Sequence, residues 1–349
     1  MNKIYINNKI YRELEEYVIS LGLKRFRADQ IFRGIHKNGI ENIDDLFQIS
    51  KGDREKIKTN SDIRKIKILK TFNSKIDNTK KMLYLLDDNN IIEGVLMEYH
   101  HGKTLCISTQ VGCRMGCSFC ASTKNGLERN LDSGEIAGQV YAAEKHFNTI
   151  IKNIVLMGSG EPFDNYNNVI KALKILNDEK GRNISMRNMT ISTCGLANKI
   201  IELANEKMPV NLAISIHSFD NDIRGSIMPI NKKYNVQELM NAIRKYGEIT
   251  NNRISFEYTV IPGENDRDED VELIKKNLSG LNYIVNLIAL NSINEYNKVK
   301  SKDAAMHFKN KLEKNNINVT LRRELGSDIS ASCGQLKIHY LKEGGLDEV

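Results

Sequence analysis

Three cysteines set the chemistry that this chain could perform. Cys113, Cys117 and Cys120 stand in a C-x3-C-x2-C arrangement within GCRMGCSFCAS, directly after the apolar stretch TLCIST. Half of the six cysteines therefore fall within eight positions. Thiolates at that density bind soft metals. A structural zinc site would take a fourth ligand from a second cysteine pair or a histidine pair. None follows at suitable spacing, and the first histidine downstream, His146, is isolated. Three close cysteines without an obvious fourth suit a cubane four-iron, four-sulfur cluster with one iron left open for an exogenous ligand. A zinc knuckle and buried structural cysteines are the other readings of the same residues.

Further candidates are scattered along the chain. MGSGEP (157–162) closes an apolar strand pattern; its glycines allow close backbone approach, and Glu161 could accept a hydrogen bond from a ligand ammonium. A plain strand-ending turn fits those residues equally well. His217, at the end of VNLAISIH, is either a satisfied strand-end histidine or a ligand. Cys106 in TLCIST reads as core or as a reactive thiol, and Cys194 in ISTCGL as structural. Cys333 sits in SDISASCGQL, a polar, glycine-containing stretch unlike a packed core.

These residues need elements to hold them. YRELEEYVISLG and RADQIFRGIHKNG carry apolar residues at helical spacing and end in glycine, and DDLFQISKGDREKIK suggests a third short helix. From about 63 to 100 the pattern turns to strands in IRKIKILKTF, KKMLYLLDD and IIEGVLMEYH. From 103 on, TLCIST, NIVLMG, MTISTCG, VNLAISIH, RISFEYTVI and YIVNLIALN are strands, most of them separated by helix-like stretches. Such alternation predicts parallel β/α units. Six of them fit an incomplete, open (β/α)6 barrel, with ligands at the C-terminal ends of its strands. The division expected is a small helical, basic domain over 1–62, a β-rich connecting segment over 63–102 and the partial barrel over 103–349.

Composition narrows the setting. The 349 residues are 40% hydrophobic and 27% charged, and no apolar run approaches the roughly 20 residues that span a bilayer. The first residues lack the apolar stretch of a signal peptide. A cytoplasmic protein without membrane contact is expected, and its cysteines read as ligands or reactive thiols rather than a disulfide framework. Residues 1–82 hold 19 basic and 11 acidic residues, an excess of eight, while the remainder is nearly balanced at 32 and 33. That block either attracts phosphates or is a solvated lysine-rich face.

The cysteine motif, with Phe119 before its last cysteine, resembles that of the radical S-adenosylmethionine (SAM) superfamily. The wider set of motifs is similar to the RlmN/Cfr family of RNA methyltransferases. It comprises RFRADQIFRGIH, GCRMGCSFCAS, GLERNL, GEIAGQV, MGSGEPFDN, ISTCGL, LAISIH, MPINKKY, NLIALN and DISASCGQL, covering nearly the whole chain. Within that family, GEP and the RADQIF segment favour the branch that methylates adenine C2 over the branch that methylates C8.

The resemblance implies one [4Fe-4S] cluster on Cys113, Cys117 and Cys120 and two SAM molecules per turnover, one as methyl donor and one as radical source. It implies SAM contacts at Gly160, Glu161, Ser192, Ser215, Ile216, His217 and Asn291. Cys333 would take a methyl group, the radical derived from the second SAM would remove a hydrogen from it, and the methylene would add to adenine. Cys106 would resolve the protein–RNA adduct through a disulfide with Cys333, with Glu93 as proton acceptor. The implied substrates are the peptidyl-transferase-centre adenosine of 23S rRNA (2503 in customary numbering) and adenosine 37 of certain tRNAs. A flavodoxin or ferredoxin-type electron donor and a monomeric enzyme complete the expectation. A radical SAM activase of a protein substrate and a zinc-containing RNA-binding protein are the alternatives from other classes.

Overall fold

The structure, a computed structural model, describes residues 4–100, 102–290, 295–329 and 331. The chain forms two compact units, one comprising Met1–Val111, Glu128–Gly160 and Asn165–Met189 and the other Gly112–Leu127, Glu161–Asp164 and Thr190–Val349.

The first unit begins with three short helices, α1 (Tyr11–Ser20), α2 (Arg27–His36) and α3 (Lys51–Asn60). Gly22 and Gly39, both at φ +70°, take the left-handed conformation that stops the first two. The third starts later than its sequence pattern suggests, because the Ser50 side chain accepts the N–H of Asp53 (3.2 Å) and so fixes the N-cap there. Leu14, Val18, Ile31, Phe32, Ile35, Leu46 and Ile57 form their shared core. At roughly 1.5–3 kcal/mol per fully buried large apolar side chain, that core outweighs the weak helix propensity of ten-residue helices. The arginines here are engaged with carboxylates: Arg12 with Glu16, Arg25 with Glu15, Arg27 with Asp53 and Arg33 with Asp29. Lys24, Lys37, Lys51 and Lys56 are exposed.

An antiparallel ribbon follows: β1 (Ile66–Asn73), β2 (Lys80–Leu86), β3 (Ile91–Tyr99) and β4 (Gly102–Cys106), in that spatial order. α4 (Ser133–Phe147) leads to β5 (Asn153–Leu156), which runs parallel to β4. A capping box opens α4: Asp132 accepts the N–H of Glu135 (2.8 Å), and Glu135 accepts that of Asp132 (2.9 Å). α5 (Tyr166–Asn177) completes the unit. His36 of α2 meets Tyr141 of α4, with Nδ1 3.0 Å from the hydroxyl.

The second unit is an all-parallel sheet of β6 (Met189–Thr193), β7 (Asn211–Ser215), β8 (Ile254–Val260), β9 (Tyr283–Ala289) and β10 (Val319–Leu321) in sequential order. Between them lie α6 (Ala197–Asn205), α7 (Asn221–Ile227), α8 (Val236–Thr250), α9 (Asp268–Leu278) and α10 (Glu295–Lys314). Ile191, Leu212, Ile214, Phe256, Tyr258, Val285 and Leu287 are buried in its core, as the continuous apolar runs of doubly covered strands require. The fold is mixed α/β, and α7, α10 and β10 are elements beyond those the sequence pattern announces.

Candidate active site

The cysteine motif lies in the second unit. Cys113 and Cys117 are buried and Cys120 is half-buried. Met115, Phe119, Ile227, Met228 and Ile230 pack in the cluster that contains Cys117 and Cys194. Burial pushes the Cys113 thiol up to about 11 and the Cys117 thiol up to about 12, and the neighbouring cysteines add to both shifts. Thiolates are unfavourable here until a cation holds them, which is how a metal cargo would be retained. No three His, Cys, Asp or Glu side chains among the described residues are grouped to hold a single metal ion. A cubane spreads its irons over separate corners, so its cysteines stand farther apart than those sharing one ion. Three soft donors in an apolar setting fit such a cluster.

Glu161 is buried beside this group. Its Oε1 accepts the N–H of Phe163 (3.0 Å) and its Oε2 the N–H of Cys194 (2.7 Å). Burial raises its pKa, and hydrogen bonds from Cys194, Thr193 and Phe163 oppose that rise. The carbonyl of Cys194 accepts Nη2 of Arg224 (2.7 Å), whose Nη1 donates to Asn231 Oδ1 (2.8 Å). Arg224 is fully buried, and its charge favours the thiolate forms of Cys117 and Cys194. A buried acid and a buried base thus clamp one peptide, Cys194, from opposite ends.

Ser192 and Ser215 lie at or next to the C-terminal ends of the paired strands β6 and β7. The N–H groups of Ile216 and His217 both donate to the carbonyl of Glu257 (3.1 and 3.2 Å). His217 stands at φ +55°, and its carbonyl accepts Asn265 Nδ2 (2.7 Å). Its Nδ1 accepts the N–H of Thr259 (3.0 Å), so in the neutral ring the proton sits on Nε2. Burial holds the ring near a pKa of about 3, and Phe119 meets it edge-on at 4.8 Å. The structure therefore gathers Cys113, Cys117, Cys120, Glu161, Ser192, Ser215, Ile216 and His217 in one unit.

Gly160, Glu93 and Cys106 lie in the first unit. Gly160 has φ +105°, and a Cβ there would stand 2.6 Å from Gln110 Cβ and 2.8 Å from its backbone N, so only glycine fits. Glu93 is 2% exposed, where an acid on an alternating strand would ordinarily face water. Val95 pairs with Cys106 across β3 and β4, so Glu93, two residues from Val95, shares a sheet face with Cys106. Lys81 pairs with Val95 from the other side and joins that face, its Nζ 3.8 Å from Glu93 Oε1. Asn291 and Cys333 lie outside the described residues. Lys81 and Arg224 carry no distinguishing sign in the sequence: one sits in a lysine pair, the other in the polar run FDNDIRGS.

A soft-thiolate trio in an α/β unit of parallel strands, with polar groups at the strand ends, defines the radical SAM class, and residues 107–274 match the Radical SAM superfamily model. Residues 6–63 match the ribosomal RNA large subunit methyltransferase N-terminal domain. The chain is 49% identical over 332 residues to a probable dual-specificity RNA methyltransferase RlmN of Clostridium novyi, covering 95% of this chain and 96% of that protein. It is 46% identical to a protein of the same description from Lachnospira eligens, covering 97% and 96% respectively. A crystal structure of a radical SAM methyltransferase from Sphaerobacter thermophilus superimposes with a TM-score of 0.86 at 36% identity, over 95% of this chain and 98% of that one. The chain belongs to the RlmN family of dual-specificity RNA methyltransferases. It is thus a radical SAM enzyme that methylates RNA, and its superfamily implies a [4Fe-4S] cluster and SAM. No helix among the described residues is long and apolar enough to cross a membrane.

Proposed function

We propose that this enzyme methylates C2 of adenosine 2503 in 23S rRNA and of adenosine 37 in tRNAs, working as a cytoplasmic monomer with a flavodoxin or ferredoxin-type donor. Adenine C2 lies between two ring nitrogens and is electron-poor, so it cannot act as the nucleophile of an ordinary SAM methyl transfer. When bound at Cys113, Cys117 and Cys120, the cluster supplies an electron to SAM and so the radical that this carbon requires. The chain's own part is to hold and to exchange. Glu161, Ser192, Ser215, Ile216, His217, Gly160 and Asn291 bind and orient SAM at the strand ends of an open (β/α)6 barrel. Cys333 accepts the methyl group as a thiolate, Glu93 accepts the proton from C2, and Cys106 closes a disulfide with Cys333 that releases the product. The division into a basic domain over 1–62, a connecting segment over 63–102 and the barrel over 103–349 belongs to the same reading.

The observation that carries these roles is the shared sheet face of Glu93 and Cys106, an acid and a thiol both buried on adjacent strands. Mass spectrometry of rRNA and tRNA from cells with and without the gene tests the reading. A methyl group on adenine C2 that disappears with the gene is expected. A methyl on C8, or RNA unchanged by the deletion, would overturn the assignment.

A further inference from the structure

We infer that Lys81 is a positioning residue that keeps Glu93 anionic and aimed for proton acceptance. This rests on the reading of Glu93 as the proton acceptor. A carboxylate that is 2% exposed is disfavoured as an anion, because burial removes the water that stabilises its charge. A protonated Glu93 has no basic oxygen to offer the C2 proton. The ammonium of Lys81 stands 3.8 Å from Oε1 and is itself 6% exposed, so little water screens the attraction.

The placement of Lys81 is built from two strands. Leu83 pairs with Glu93 and Val95 pairs with Lys81, so Lys81 and Glu93 are diagonal neighbours on one face. Phe72 pairs with Lys81 from β1, and Lys81 Nζ lies 5.3 Å from the centre of its ring. The ring steadies the ammonium without neutralising it. Lys70, exposed, approaches the same ring at 5.3 Å. The titratable groups that the register places on this face of β1 to β4 with Glu93 are thus Lys81, Lys70, Lys67 (opposite Leu85), Tyr99 and Cys106. In the step served, the C2–H bond breaks, an O–H bond forms on Glu93, and the electron pair of the broken bond stays on the nucleotide.

A lysine that merely staples β2 to β3 would affect stability but not the protonation of Glu93. The discriminating measurement is the pH dependence of single-turnover methyl transfer to RNA by the cluster-loaded enzyme. Lys81→Met should move the acid limb of the profile upward by about 1–3 pH units, the effect of removing an opposite charge at this range. Lys81→Arg should bring the limb back toward that of the wild type. Lys81→Gln keeps a polar head in the slot, covers a failure of the methionine variant to fold, and should show the same upward move. A rate loss with the limb unmoved, or a limb left displaced in the arginine variant, overturns the inference. Absence of methyl transfer by the wild type itself would instead count against the functional reading.

Discussion

Glu161 Oε2 accepts the backbone N–H of Cys194 at 2.7 Å, which fastens the carboxylate to the turn that follows β6. An acid held this way presents its remaining lone pairs in a fixed direction. Glu161→Gln replaces one acceptor oxygen by a donor, so either Cys194 or Phe163 must face an N–H with an N–H. The expected cost is about 1–3 kcal/mol in urea unfolding, together with weaker SAM binding by equilibrium dialysis. An unchanged midpoint and unchanged SAM affinity would show the carboxylate to be a bystander.

The three motif cysteines should act as a set. Alanine at any one of Cys113, Cys117 or Cys120 leaves two thiolates for a cluster that needs three. Iron and acid-labile sulfide after anaerobic reconstitution should fall sharply, and 5′-deoxyadenosine production should cease. Normal production of 5′-deoxyadenosine in any of these variants would disprove the ligand assignment.

The two reactive thiols should separate in time. In the proposed reaction Cys333 acts before RNA is touched, and Cys106 acts after the carbon–carbon bond has formed. Cys106→Ala should therefore stall with RNA joined to Cys333 through a thioether that survives unfolding. Denaturing gels should show that adduct in Cys106→Ala and none in Cys106→Ala/Cys333→Ala. Full turnover by Cys106→Ala, or an adduct in the double variant, would sink the division of labour.

His36 gives the fold a pH dependence. Burial depresses its pKa from the ordinary 6.5 to about 3, so the folded chain keeps it neutral while the unfolded chain protonates it. Its contribution is complete above pH 6.5 and is lost as pH falls from there toward 3. The loss is about 2 kcal/mol at pH 5. Urea unfolding of His36→Gln should fall less steeply between pH 7.5 and 5, by about that amount. His217 is depressed too but is present in both proteins, so the difference isolates His36. Parallel pH profiles would show that the ring is already charged when folded.

Periodicity made most of the architecture legible, since alternating and apolar runs such as KKMLYLLDD and VNLAISIH fold as the strands they resemble. α10 escaped because its inward positions include Ser301 and Ala305 beside Phe308 and Leu312, which leaves little apolar stripe among its lysines. β10, at three residues, is too short to alternate visibly. Among the candidate site residues, spacing alone singles out the thiol trio. Lys81, Glu93 and Arg224 were not legible as buried, because charged residues read as solvated until the fold encloses them. The resemblance singled out Glu93, but only the strand register shows what stands beside it.

The paired arginines of the N-terminal helices also limit what kind of attraction that segment could exert on a polyanion. Arg25, Arg27 and Arg33 already grip carboxylates of their own fold, and the exposed cations around them include Lys24, Lys37, Lys51 and Lys56. A guanidinium fork can register on a phosphate in two places, whereas an ammonium on a flexible stem is a point charge without orientation. Such a surface speeds the approach of a polyanion within a Debye length of about 8–10 Å, yet does little to choose where along the strand it comes to rest. Selecting one adenosine is then the task of groups that touch the base.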